Sequence, residues 1–121
     1  MNKSVLVIAS GNPSKVSEIS EMLNVLNLSV QKQPDTLNVE ETGKSYLENA
    51  FLKAKAAATK TKSWALADDS GLEVDYLDGR PGIFSARYAK NNDAKLDKLI
   101  KEMGDTPYRS AKFISCMVLC D

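Results

Sequence analysis

The most constraining feature of the chain is an apolar run at residues 5–9 that leads directly into a turn and an amphipathic helix. The run VLVIA contains no polar residue, which is typical of a strand buried on both faces of a sheet. Asn12 and Pro13 follow in the order favoured for an N-cap and a first helical residue. Apolar residues then recur at helical spacing, so we predict a strand, a tight turn and a helix.

Predicted strands and helices alternate along the rest of the chain. A capping-box pair, Ser45 and Glu48, predicts the start of the second helix. The helices are predicted at residues 13–26, 45–62 and 93–103, and further strands at residues 28–33, 64–67 and 111–120. The third predicted strand ends in Asp68-Asp69-Ser70-Gly71, and two alternatives remain for Leu72 and Val74, which either continue it or begin another strand. This alternation favours a layered α/β fold, and 121 residues fit one domain spanning 1–121.

The charge balance excludes several classes of function. Lys and Arg together number 16, as do Asp and Glu, so the net charge is zero and we expect neither a nucleic-acid polymer nor a membrane as partner. The chain has no histidine, which excludes Ser-His triads and His-ligated zinc. Cys116 and Cys120 would lie roughly 13 Å apart on one strand, beyond disulfide reach. We therefore expect reduced thiols and a cytoplasmic protein.

The first candidate site is the turn and helix start SGNPSK at residues 10–15. Free backbone N–H groups at a helix N-terminus, together with the helix dipole, can bind a phosphate. Lys15 lies in the first turn, where the dipole disfavours a cation, and a bound phosphate would neutralise it. The segment is not a Walker loop, so the signal taken alone is weak. The alternative is an ordinary strand–turn–helix connection with an exposed lysine.

The second candidate group combines Glu41 with Asn49 and Lys53. Asn49 and Lys53 are four residues apart and share one face of the predicted helix, and Glu41 lies just before that helix. A carboxylate, an amide and an ammonium group could thus converge on one side of a cleft. The alternative is a solvated helix face with an acidic residue in the preceding loop.

The third candidate group is Asp68-Asp69-Ser70-Gly71. Strand ends are where α/β sheets usually bind ligands, and adjacent carboxylates repel unless a cation lies between them. Oxygen ligands of this kind favour Mg²⁺, which proteins hold through one or two carboxylates and substrate phosphates. The alternative is an Asx-type turn. The three groups together suit metal-assisted phosphoryl chemistry.

Three stretches of the sequence closely resemble the inosine triphosphate pyrophosphatase family. They are SGNPSK, ETGKSYLENAFLKAKAAA and ALADDSGLEVDYLDGRPGIFSARYA, and the resemblance runs in register from Val5 to Asp121. It implies an elongated α/β fold with a mixed central sheet flanked by helices. It also implies a Mg²⁺-dependent homodimer that hydrolyses inosine, deoxyinosine and xanthosine triphosphates to monophosphate and pyrophosphate.

The resemblance also implies roles for individual residues. Asp69 is expected to be the catalytic acid and a metal ligand, with Glu41 and Asp68 as further metal ligands. Lys53 is expected to contact phosphate and to act in catalysis, and Asn49 to organise the site. The remaining substrate-binding residues that the resemblance implies are Ser10, Gly11, Asn12, Lys15 and Ser70.

The family's C-terminal part has no counterpart in this sequence. Family members are considerably longer, and an aromatic-and-aspartate segment and a Ser-His-Arg segment in that part read the purine base. We therefore expect a domain that is incomplete at its C-terminus. Two alternatives remain: a septum-inhibitor-type nucleotide pyrophosphatase that acts on other bases, and a non-catalytic nucleotide-binding or interaction module, or fragment, that lacks the base-reading half.

Overall fold

The computed structural model describes residues 4–121, which form five strands and three α-helices. The strands are β1 (Ser4–Ile8), β2 (Leu28–Lys32), β3 (Trp64–Val74), β4 (Arg80–Pro81) and β5 (Ala111–Cys120). The helices are α1 (Pro13–Met22), α2 (Tyr46–Thr61) and α3 (Asn92–Met103), and short 3-10 segments cover Asp75–Leu77 and Gly82–Arg87.

The described residues divide into two compact units, one formed by residues 4–69 and 116–121 and the other by residues 70–115. In the first unit β1 pairs in parallel with β2 on one side and with β3 on the other. In the second unit β3 pairs antiparallel with β4. Strand β5 also pairs with β3. The sheet is therefore mixed and flanked by helices, as predicted. The prediction of a single domain stays a prediction.

The helix boundaries follow the capping residues found in the sequence. The Asn12 side chain accepts a hydrogen bond from Ser14 N at 3.0 Å, and the Ser45 hydroxyl accepts one from Glu48 N at 3.1 Å. Lys62 closes α2 with a left-handed backbone, φ 54°. Helix α1 ends at Met22, so Leu26 of the predicted apolar stripe lies beyond it and is half exposed.

Strand β3 is longer than the four residues predicted at 64–67, and it follows the alternative in which Leu72 and Val74 continue the third strand. It runs without interruption for 11 residues through Asp68 and Asp69 to Val74. What ends near the acidic pair is the parallel pairing with β1, whose last matched residues are Ile8 and Leu66. Pairing with β4 and β5 extends β3 through this polar segment.

Small side chains form the core of the first unit. One face of α2 presents alanines to the sheet, and four of these are at most 4% exposed: Ala50, Ala54, Ala57 and Ala58. Three of them, Ala54, Ala57 and Ala58, cluster with Val7 of β1, with Ala9 just after it, and with Ala65 and Ala67 of β3. Because the buried side chains of this cluster are no larger than valine, the helix backbone can approach the sheet closely.

The second unit has its own small core. Val74, Leu77 and Met103 are buried together, and Leu72 and Leu99 pack against them. At its margin the Tyr88 hydroxyl donates to Glu102 Oε1 at 2.7 Å. Burial, followed by this contact with Glu102, raises the pKa of Tyr88 to about 12.

The structure also tests the prediction for the two cysteines. Cys116 and Cys120 are both free thiols, as their spacing on one strand predicted. Within residues 4–121, no helix combines the length and the apolar character that crossing a membrane would require.

The alanine layer generates a stability prediction. Ala57→Leu forces extra volume into a fully buried position, so we expect the free energy of unfolding to fall by about 1–3 kcal/mol. Thr59→Leu, at an exposed position of the same helix, is the matched control and should change stability by less than about 0.5 kcal/mol. Urea unfolding measures both variants, and equal effects would contradict close packing of α2 on the sheet.

Candidate active site

The candidate site lies in the first unit, where the chain crosses over in opposite directions from β1. The connection through α1 leads to β2 on one side, and α2 leads back to β3 on the other side. Ala9 N donates to Leu66 O at 2.8 Å, which holds the two parallel strands together at their carboxyl ends. A crevice outside such a switch point is the usual ligand site of an α/β sheet.

The turn after β1 forms the start of this site. The Ser10 hydroxyl accepts a hydrogen bond from Asn12 N at 3.1 Å, and Asn12 in turn caps α1. Lys15 Nζ lies 2.6 Å from Asp68 Oδ1, an ion pair that is not aligned as a hydrogen bond. Lys15 is thus neither an exposed lysine nor dependent on a phosphate for charge compensation, because a carboxylate of the chain already faces it.

Lys53 is the centre of the site. Its ammonium group lies 3.0 Å from Glu41 Oε1 and 3.9 Å from Asp69 Oδ1, and it donates to the backbone oxygen of Asp68 at 2.5 Å. The three side chains are between 7% and 21% exposed, so water screens these contacts only in part. The structure therefore brings Glu41, Lys53 and Asp69 together as the sequence predicted.

The two adjacent aspartates have different partners. Successive side chains of a strand point to opposite faces, so the Asp68 carboxylate meets Lys15 of α1 whereas Asp69 lies toward Lys53 of α2. The charge of Asp68 accordingly raises the pKa of Asp69 less than burial or the charge of Glu41 does. The assignment of Asp68 as a metal ligand stays a prediction, as does that of Ser70, the next residue in β3.

Asn49 holds the loop that carries Glu41. It is fully buried, and its Oδ1 accepts a hydrogen bond from Gly43 N at 2.7 Å. A Cβ atom on Gly43 would lie 2.6 Å from Glu48 Cβ and 2.7 Å from Asn49 Oδ1, so no side chain fits there. This close approach explains the glycine. The sequence string contained Gly43 but gave no sign of its contact with Asn49.

The environment of Asp69 raises the pKa of its carboxyl above the ordinary value of 3.8. Burial is the largest cause, and the negative charge of Glu41 comes second. Lys53 and the Asn49 amide, which approaches without good hydrogen-bond geometry, act in the opposite direction. Among the described residues, Asp69 Oδ2 and Asn49 Nδ2 are buried polar atoms without a hydrogen-bond partner.

The donor set at this position suits a magnesium ion held jointly with a substrate. Glu41 and Asp69 supply carboxylate oxygens, and Asp69 Oδ2 is buried with no partner in the described part of the chain. Within residues 4–121, no three His, Cys, Asp or Glu side chains group as metal ligands. Mg²⁺ is commonly bound by one or two carboxylates plus substrate phosphates, and two carboxylates fit that mode.

A cleft of about 350 Å³ adjoins the turn after β1 and was not predicted from the sequence. It is lined by Ser10, Gly11, Pro13, Val16, Ser17, Lys32, Gln33, Pro34, Asp35 and Leu37. The residues after β2 gave only the signal of a polar connecting loop. Their place beside the turn follows from the parallel pairing of β1 and β2, which no local pattern reveals.

The chain is similar to known proteins along nearly its whole length. The Ham1 family model matches residues 6–121. A dITP/XTP pyrophosphatase of Synechococcus is 50% identical over 119 residues, which is 98% of this chain and 58% of that protein. The protein of the same name from Synechocystis is 43% identical and is likewise covered over 58% of its length.

Solved structures give the same result for the fold. The Staphylococcus aureus Ham1 protein superposes with a TM-score of 0.82 at 38% identity, over 97% of this chain and 63% of that one. A HAM1 protein from Coxiella burnetii gives 0.85 at 40% identity, over 96% and 62%. The chain thus spans a little under two thirds of each relative. The family model covers nearly all of its residues, and the chain belongs to the Ham1 family.

Proposed function

We propose that the protein is a Mg²⁺-dependent pyrophosphatase that cleaves a purine nucleoside triphosphate to the monophosphate and pyrophosphate. The observation that carries the proposal is the meeting of Glu41, Asp69 and Lys53 at a switch point of the sheet. Lys15 lies at the N-terminus of α1, where backbone N–H groups favour an anion. Carboxylates and lysines of this kind are the usual components of metal-assisted phosphoryl transfer.

The proposed reaction is an attack of water on the α-phosphorus. The water oxygen bonds to phosphorus, the bond from the α-phosphorus to the α–β bridging oxygen breaks, and pyrophosphate leaves. Asp69 accepts the proton of the attacking water, because its carboxylate lies in the site beside Lys53 and Glu41. Lys15 and Lys53 stabilise the negative charge that develops on the phosphate oxygens. Glu41 and Asp69 would hold Mg²⁺, which neutralises triphosphate charge when bound.

The substrates proposed are inosine, deoxyinosine and xanthosine triphosphates. Relatives named dITP/XTP pyrophosphatase, one of them 50% identical, support this class. Lys15 and Lys53 would contact the phosphates, and Glu41 and Asp69 the metal. Every nucleoside triphosphate has the same phosphates and can bind the same metal. We therefore propose that this chain alone discriminates weakly between purine bases, because selectivity requires polar groups that pair with one base edge.

A pyrophosphate-release assay tests the function directly. Inosine, xanthosine, guanosine and adenosine triphosphates are each supplied with Mg²⁺, and kcat/KM is compared. We expect release from all four, with a ratio of inosine to adenosine triphosphate within about tenfold. Tight nucleotide binding without release would instead support the alternative of a non-catalytic binding module. A strong inosine preference would show that residues before Asp121 read the base.

Replacing the proposed base tests its role. Asp69→Asn removes the proton acceptor and a metal-ligand charge, so we expect kcat to fall by about 100-fold or more. The exposed Asp97→Asn makes the same chemical change on α3 and should leave the rate unaltered. Near wild-type turnover of Asp69→Asn would refute the assignment.

The same variant should behave differently in stability. Because the pKa of Asp69 is raised by folding, the folded state binds more protons, and ionisation lowers the free energy of unfolding as pH rises. Asp69→Asn should therefore stabilise the metal-free protein at neutral pH, with the gain disappearing below the unfolded pKa of 3.8. Urea unfolding in EDTA, at neutral pH and again below pH 3.8, measures the difference in stability between the variant and wild type. A variant less stable than wild type at neutral pH would contradict the prediction.

Metal dependence gives a further prediction. Activity should be lost in excess EDTA and restored by Mg²⁺ or Mn²⁺, because carboxylate oxygens favour hard ions. A zinc-selective chelator should have no effect. Full turnover in EDTA would show that Glu41 and Asp69 act without a metal.

We further propose a cytoplasmic homodimer. On β5, Met117 is 51% and Leu119 is 58% exposed, and apolar surface of this kind favours association. Sedimentation of the chain should show a dimer that Leu119→Glu weakens. A monomer at high protein concentration would contradict the proposal.

A further inference from the structure

The ammonium group of Lys53 lies between the two carboxylates that would hold the metal. Its distances are 3.0 Å to Glu41 Oε1 and 3.9 Å to Asp69 Oδ1. Its bond to the Asp68 backbone oxygen fixes it in this position. Because the Lys53 side chain is only 16% exposed, the cation is largely withdrawn from water and acts on the carboxylates at close range.

A divalent cation at Glu41 and Asp69 and the Lys53 ammonium carry like charges, so they would repel strongly at these distances. Asp69 is 5% exposed, and a buried carboxylate left without a cation is costly. The carboxylates of Glu41 and Asp69 are therefore best neutralised by one cation at a time.

We propose that Lys53 is an internal counter-ion that occupies Glu41 and Asp69 in the metal-free protein and competes with Mg²⁺ for them. The proposal rests on the proposed function for the identity of the metal. Metal binding then requires the ammonium group to leave the carboxylates. The released group is free to contact the triphosphate, so the site stays neutralised before and after it is loaded.

Removal of this charge should affect metal binding and catalysis in opposite directions. Lys53→Met retains most of the side-chain volume but has no charge to compete with Mg²⁺ for the carboxylates. Mg²⁺ should therefore bind the nucleotide-free variant about tenfold more tightly, a typical size for the coupling between two sites. Turnover should nevertheless fall, because a cation that contacts the phosphates is lost. If Lys53 only contacted phosphate, its replacement would not tighten Mg²⁺ binding in the absence of nucleotide.

Mg²⁺ titration calorimetry on the nucleotide-free protein, at mildly alkaline pH, tests the proposal. Two controls lose the same charge: Lys15→Met, whose ion pair is to Asp68, and Lys55→Met, at an exposed position of α2. We expect no change for Lys55→Met and a smaller gain for Lys15→Met than for Lys53→Met. Lys53→Gln keeps a neutral donor for the Asp68 oxygen and replaces Lys53→Met if that variant does not fold.

Thermal unfolding supplies an independent readout. In EDTA, Lys53→Met should melt below wild type because its carboxylates lack a cation, and Mg²⁺ should raise its Tm more than that of wild type. The proposal would be overturned if Lys53→Met bound Mg²⁺ no more tightly than wild type, or if its gain in Mg²⁺ affinity only equalled that of Lys15→Met. It would also be overturned if no variant bound Mg²⁺ detectably. If the predicted shift occurs but no nucleotide is hydrolysed, this inference stands and the proposed function fails.

Discussion

The candidate site depends on the placement of one ammonium group beside the buried carboxylate of Asp69 and the partly buried carboxylate of Glu41. Lys53 reaches Glu41, Asp69 and the Asp68 backbone oxygen from one position on α2. Each carboxylate alone would be costly to bury in ionised form, and the lysine offsets this cost. The position of Lys53 depends in turn on the close approach of α2 to the sheet, which the buried alanines on the same helix allow.

Much of the fold could be predicted because its signals are local. The cap of α1 at Asn12, the cap of α2 at Ser45 and the full extent of β5 all follow from neighbouring residues. Whether Leu72 and Val74 continue the third strand stayed open in the sequence, because pairing with distant strands carries β3 through a polar segment. The end of α1 was misplaced, since an apolar residue at helical spacing does not require the helix to continue to Leu26.

The sequence predicted which residues form the site, but not which of them contact one another. Helical spacing joined Asn49 to Lys53, the place of Glu41 just before that helix added one carboxylate, and the acidic pair at a strand end added two more. The opposite orientation of Asp68 and Asp69 follows from strand periodicity only once β3 is known to continue through them. The bond between Gly43 N and Asn49 depends on how the loop folds back onto α2, for which the sequence has no local signal.

The central claim is that this site directs water to the α-phosphorus of a nucleoside triphosphate. Hydrolysis of inosine triphosphate in ¹⁸O-labelled water, with mass analysis of both products, tests this most directly. Attack at the α-phosphorus places the label in inosine monophosphate and leaves the released pyrophosphate unlabelled. Label in pyrophosphate or in inorganic phosphate, or no hydrolysis at all, would contradict the account.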